Sequence, residues 1–131
     1  MTLLDVDVGD AVEPKVMPAG EECKLRIVGA SITTSDKGTF LIPRLEVTGE
    51  PYAKEFTHVL TIPEDDMDEK RTNQCKYRLD EFYRTFEFSP PAGGYEPEDA
   101  LPGCEGWAIL GIRESDEYGE QNTIRKFLPP K

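Results

Sequence analysis

A single histidine, His58, and three well-separated cysteines, Cys23, Cys75 and Cys104, are the residues from which a nucleophilic or metal centre would be assembled. A Ser–His or Cys–His arrangement needs a nucleophile, a base and an orienting group to converge. The strand-like flanks of His58 mark it instead as an ordinary outward polar residue. No CxxC pair exists and one histidine cannot complete a zinc set, so the cysteines read as reduced thiols, two of them packed. Carboxylates are plentiful, but EDDMDEK (64–70) and ESDEYGE (114–120) lack the alternating ligands and central glycine of a calcium loop. They read as solvated surface, because an acid/base pair requires burial. There is no GxxxxGKS/T, GxGxxG or HExxH. The expectation is a non-enzymatic chain with no cofactor and no metal.

Binding chemistry is better represented. The formal net charge is -11, which argues against a polyanionic partner, but the charge is unevenly spread. Residues 23–62 hold Lys24, Arg26, Lys37, Arg44 and Lys54 against four acids, and residues 121–131 hold Arg125, Lys126 and Lys131 with none. Acids gather at 5–13, 64–69, 96–105 and 114–120. Cations interleaved with exposed rings suit single-stranded nucleic acid: cations meet phosphates, and each ring stacks a base for about 1–3 kcal/mol. The candidate phosphate contacts are Lys24, Arg26, Lys37, Arg44 and Arg125, and the candidate stacking rings are Phe40 and Trp107. Arg113, Tyr118 and Phe127 extend that platform from the last hairpin.

These side chains must be positioned by strands. Cys23, Leu25 and Ile27 alternate with polar neighbours, a strand pattern. Residues 34–38 supply a turn, and Phe40–Thr48 reads as a second strand with Leu41, Leu45 and Val47 on one side. Phe40, Arg44 and Glu46 fall on the other. Pro43 lacks a donor, so the strand is expected at an edge or bulged there. Glu55–Ile62 reads as a third strand. Leu25, Leu45, Val47, Val59, Leu110 and Ile124 are the expected inward set. Cys75, Leu79, Phe82, Tyr83 and Phe86 form an apolar stripe at helical spacing. Asp66 with Glu69 resembles a capping box, and the helix is expected to begin as late as Thr72. Residues 88–106 read as loop with one helical turn at Pro97–Leu101. Trp107–Arg113 and Gln121–Leu128 form the last two strands.

Three strands, a helix and two strands is the order of the OB-fold, so the expected fold is mainly β: a five-stranded OB-like Greek-key barrel with one helix between strands 3 and 4. With 131 residues the chain fits one domain, here 21–131, preceded by an irregular arm, 1–20, that docks one short strand from the alternation Leu4–Val8. No apolar run reaches the length of a membrane helix and no signal-peptide pattern opens the chain, so a cytoplasmic location away from membranes is expected.

The segments LLDVDVGDAVEPKVMPAGEECKLRIVGA (3–30), KGTFLIPRLEVTGEPYAKEFTHVLTIP (37–63) and ESDEYGEQNTIRKFLP (114–129) resemble a group of small phage-encoded proteins regarded as single-stranded-DNA-binding, with an OB-like fold. The resemblance spans nearly the whole chain as short spaced pieces. It implies a non-enzymatic role in phage DNA replication or recombination, in the host cytoplasm, with replication or recombination proteins of phage or host as further partners. A homo-oligomer is compatible with this reading, because one OB domain contacts few nucleotides. The rival reading is an acidic adaptor or DNA mimic that inhibits a nucleic-acid enzyme, with ESDEYGE and EDDMDE as contact surfaces.

Overall fold

Alternation decides the sheet. From β1 (Glu22–Ser35) the side chains of Cys23, Leu25 and Ile27 enter the core, and from β2 (Gly38–Val47) those of Leu41, Pro43, Leu45 and Val47 do so. The computed structural model describes residues 2–130; Lys131 of the basic C-terminal segment lies outside the described residues. The turn between β1 and β2 closes on Gly38, whose φ of 128° is open to glycine and strained for other residues. A register shift between Ile27 and Gly29 leaves Val28 unpaired, a bulge that lies on β1 and not at Pro43.

Pro43 acts on the neighbouring strand instead. On that side β2 pairs with β3 (Phe56–Thr57) through Arg44 and Leu45, and with β4 (Leu60–Thr61) through Phe40 and Leu41. Pro43 falls between the two and cannot donate to a ladder. The expected third strand is therefore split at His58 and Val59, and the His58 N–H donates to the Pro43 carbonyl at 3.1 Å. Val59 belongs to this break and is 55% exposed, so it leaves the expected inward set.

The helix α1 (Glu69–Thr85) starts earlier than its apolar stripe suggests. Asp68, not Asp66, caps it, accepting from the Arg71 N–H at 2.7 Å. Its buried face carries Cys75 and Phe82, and Phe86 follows at the end. A second, one-turn helix α2 (Pro97–Ala100) leads into β5 (Glu105–Ser115), which hairpins into β6 (Gly119–Leu128). The C-terminal end of α1 rests directly on β5 at Gly106, where a β-carbon would stand 2.4 Å from the Thr85 carbonyl oxygen.

The result is mainly β: one antiparallel sheet of six strands in the order β3-β2-β1-β5-β6, with β4 also on β2, and two helices. The ladder does not close, but the sheet curls until its ends meet. The His58 ring stands edge-on to Phe127 of β6 at 5.3 Å, and Phe82 of α1 fills the space beneath. Leu25, Ile27, Leu45, Phe82, Leu101 and Leu110 form the centre of the core.

The N-terminal arm docks by its last residues rather than by Leu4–Val8, whose side chains are exposed. Lys15 makes an isolated parallel bridge to Ala53. Met17 is buried, and the Asn122 side chain accepts from its N–H at 2.7 Å and donates to its carbonyl at 2.9 Å. Asn122 also donates to the Gly111 carbonyl at 3.0 Å, so this buried amide joins arm, β5 and β6. Among the described residues no helix is long and apolar enough to cross a membrane.

Candidate nucleic-acid interface

The outer face of β1, β2 and β5 holds most of the expected site. The alternation of β2 continues through Pro43, so Phe40, Arg44 and Glu46 share this face with Lys24 and Arg26 of β1. Cross-strand register places Arg26 opposite Glu46 on one side and Glu105 on the other. Lys24 lies opposite Trp107, and Trp107 opposite Leu128. Trp107 is 46% exposed, whereas Phe40 is half-buried.

Register also supplies each cation with a carboxylate. Arg26 is in direct contact with Glu46, Lys24 Nζ stands 3.4 Å from Glu105 Oε2, and Arg44 Nε stands 3.3 Å from Glu55 Oε1. The Arg44 guanidinium lies across Gly29, which leaves room for it. Such exposed pairs add about 0–1 kcal/mol each to stability. Their larger effect is on the field, since a phosphate approaching Arg26 meets two carboxylates as well. Lys37 sits apart on the β1–β2 turn, at a hollow lined by Glu64, Asp66, Asp68 and Arg71.

Of the expected extensions, Phe127 is a core residue at 6% exposure, Tyr118 projects from the β5–β6 hairpin, and Arg113 donates to Gln121 Oε1 at 3.5 Å. The expected set is thus divided: Lys24, Arg26, Arg44, Phe40 and Trp107 share the sheet face, and Arg125 joins them from β6, its side chain running over Gly111 of β5 to Gly20; Lys37 lies elsewhere.

A groove of about 260 Å³ lies between the β3–β4 break, α1 and β6, on the side of β6 away from the Arg125 guanidinium. Between Ile109 and Leu110 the β5–β6 register shifts, so Arg125 is the extra residue of a bulge and both Arg125 and Lys126 are exposed. Arg78 of α1 lines the opposite wall with Glu81, and Leu60, Val59 and Ile124 supply apolar lining. Among the described residues no carboxylate lies within 4.0 Å of Arg78, Arg125 or Lys126 to form an ion pair. His58, expected to point outward, is half-buried here; burial first, and the Arg78 charge second, hold its imidazole below the usual range. Lys126, opposite Ile109 and diagonal to Trp107, is an addition to the expected site, whereas Arg78 and His58 line the groove. The sequence signal for the β6 cations was the pair of consecutive charges in Ile-Arg-Lys-Phe, which interrupts strand alternation.

Cys23 and Cys75 are buried and Cys104 is half-buried, all free thiols; burial pushes Cys23 and Cys104 up, away from the thiolate form. Among the described residues no cluster of three or more His, Cys, Asp or Glu side chains is arranged to hold a metal ion. Comparison with protein-family models and with curated proteins found no match to this chain.

Proposed function

We propose that this chain is a non-enzymatic single-stranded-DNA-binding protein with a partly open OB-like barrel. The observation that carries the reading is Trp107: a tryptophan 46% exposed on the sheet face, opposite Lys24 and diagonal to Lys126. An indole in that setting offers a stacking plane between cations that can meet flanking phosphates. Support for the fold comes from the strand order, in which the first strand pairs with both the second and the penultimate, and the helix fills the gap between the ends of the curled sheet. Phe40 is the second candidate ring. The setting implied by the resemblance is phage DNA replication or recombination in the host cytoplasm, with proteins of that machinery as further partners.

Trp107 is the only tryptophan, so its fluorescence reports on binding directly. Titration with single-stranded DNA at low salt is expected to quench it saturably, with weaker effects from duplex DNA. Trp107→Ala, followed by anisotropy of a labelled oligonucleotide, is expected to weaken binding by about 5- to 150-fold, the worth of one stacked base. Absence of both quenching and anisotropy change at low salt would overturn the reading.

A second reading, the acidic adaptor or DNA mimic, draws on the neutralisation of Lys24, Arg26 and Arg44 by glutamates and on the exposed Glu114, Asp116 and Glu117 of the β5–β6 hairpin. It requires that capture of a basic protein be lost when those three acids are neutralised, with no binding of nucleic acid.

A further inference from the structure

We infer that the backbone of a bound single strand follows the outer face of the β5–β6 hairpin, its phosphates held by Lys126, Arg125 and Arg113 in line with Trp107. This path rests on the single-stranded-DNA reading and fixes where on the sheet the strand lies. β1 and β2 then form its flank, where Arg26 and Arg44 are already engaged by Glu46 and Glu55 and the carboxylates repel a phosphate that strays.

Alternation along β5 sends Trp107, Ile109, Gly111 and Arg113 to one face. Their β6 partners are Leu128, Lys126, Thr123 and Gln121, and the register shift between Ile109 and Leu110 adds Arg125 as an extra residue. In a regular strand Arg125 and Lys126 would point to opposite faces; the bulge brings both to this one, and both are exposed. The Arg125 side chain crosses Gly111, where a β-carbon would stand 3.9 Å from its Nε. It ends beside Gly20, where a β-carbon would stand 3.9 Å from Nη1. Gly20 is held there by its own N–H, which donates to the Leu110 carbonyl at 2.8 Å. Two positions without side chains thus give the guanidinium a bed across the sheet and leave its outward side to an anion.

The three cations mark successive steps along the hairpin. Lys126 lies opposite Ile109, Arg125 over Gly111, and Arg113 two residues further on, so each step is about 7 Å. That is about twice the rise per nucleotide of stacked DNA, which suits a strand drawn out with its bases unstacked. Trp107, with the half-buried Ile109 and Leu128 beside it, offers those bases an apolar floor. Among the described residues none of the three cations has a carboxylate within 4.0 Å, and Arg113 meets only the neutral amide of Gln121. The acids of the hairpin stem, Glu114 and its partner Glu120, alternate to the other face. On the β1 side Glu22 lies opposite Ile109, which separates it from Lys126.

The experiment is anisotropy titration of labelled oligothymidylate against the full chain over a range of salt. Arg125→Gln with Lys126→Gln is compared with Arg26→Gln with Arg44→Gln. Both pairs change net charge equally, so long-range effects are common to the two. The β6 pair is expected to lower the salt slope by about 1.4, at about 0.7 per phosphate. Carried down from about 1 M to about 50 mM salt, that slope is a loss of about 60-fold in affinity. The β1–β2 pair is expected to keep the wild-type slope, because its cations meet carboxylates and not phosphates. Arg113→Gln with Lys126→Gln repeats the test while sparing the guanidinium over the glycines, and the same drop in slope is expected. A wild-type slope in either hairpin variant, or an equal drop in the β1–β2 variant, would overturn the path while the DNA reading stands. Failure of the wild type to bind at low salt overturns both.

Discussion

The β1–β2 part of the outer sheet face and its β6 part both present cations, yet they differ in what stands next to them. On β1 and β2, Lys24, Arg26 and Arg44 each have a glutamate partner, delivered by cross-strand register or by the turn into β3. On β6, Arg125 and Lys126 form no ion pair among the described residues. The number of basic residues is therefore a poor guide to where an anion settles. In a protein of net charge -11, the informative quantity is which cations the fold leaves uncompensated.

The strongest perturbation of this contrast is mechanical. Gly106→Ala places a methyl 2.4 Å from the Thr85 carbonyl oxygen, so the end of α1 must move away from β5. Stability is expected to fall by about 1–3 kcal/mol in urea denaturation, the usual result of overpacking. Because Gly106 adjoins Trp107 in β5, affinity for single-stranded DNA is expected to fall as well, while the β1–β2 pair Arg26–Glu46 is left in place. An unchanged denaturation midpoint would show that α1 accommodates the methyl freely.

A second change works on the sheet face. Glu46→Gln with Glu105→Gln frees Arg26 and Lys24 and removes two charges that repel phosphate, each about 0.7 kcal/mol at 6 Å in water. Affinity for single-stranded DNA is expected to rise about tenfold at low salt, with a steeper salt slope. If affinity does not change, the strand never approaches that face.

The smallest effect is a pH dependence. His58 is held below its ordinary pKa in the fold, so the folded state takes up its proton less readily than the unfolded chain. Its contribution is fully present above the unfolded value and is lost as pH falls through the lowered folded value. Urea midpoints measured at about pH 7.5 and pH 5.5 are expected to differ more in the wild type than in His58→Gln. Equal pH responses in the two proteins would show that burial of His58 costs the fold nothing on protonation.

Much of the sheet was legible because period two is a strong signal. Cys23, Leu25, Ile27, Leu41, Leu45 and Val47 all enter the core as alternation requires. The α1 stripe was legible for the same reason at period 3.6, though its start was not: Asp68 caps a first turn that carries almost no apolar residue. Pro43 announced a disturbance, but a missing donor disturbs whichever strand needs it, and that strand was β3–β4. The site was less legible. Arg26 and Glu46 are far apart in sequence and meet only through register, and Arg125 reaches Gly20 only because β6 lies beside Gly111. Alternation says which way a side chain points, not which charge it will find there.

The break opposite Pro43 also bears on self-association. An unclosed sheet has two edges, each able to recruit a strand from another copy. Here one edge is reduced to two separate two-residue strands, too short to template a partner, and the other is β6, bent by its bulge and studded with two adjacent cations. A proline and a bulge thus discourage edge-to-edge aggregation, the protection that full closure gives a barrel, while the sheet stays open.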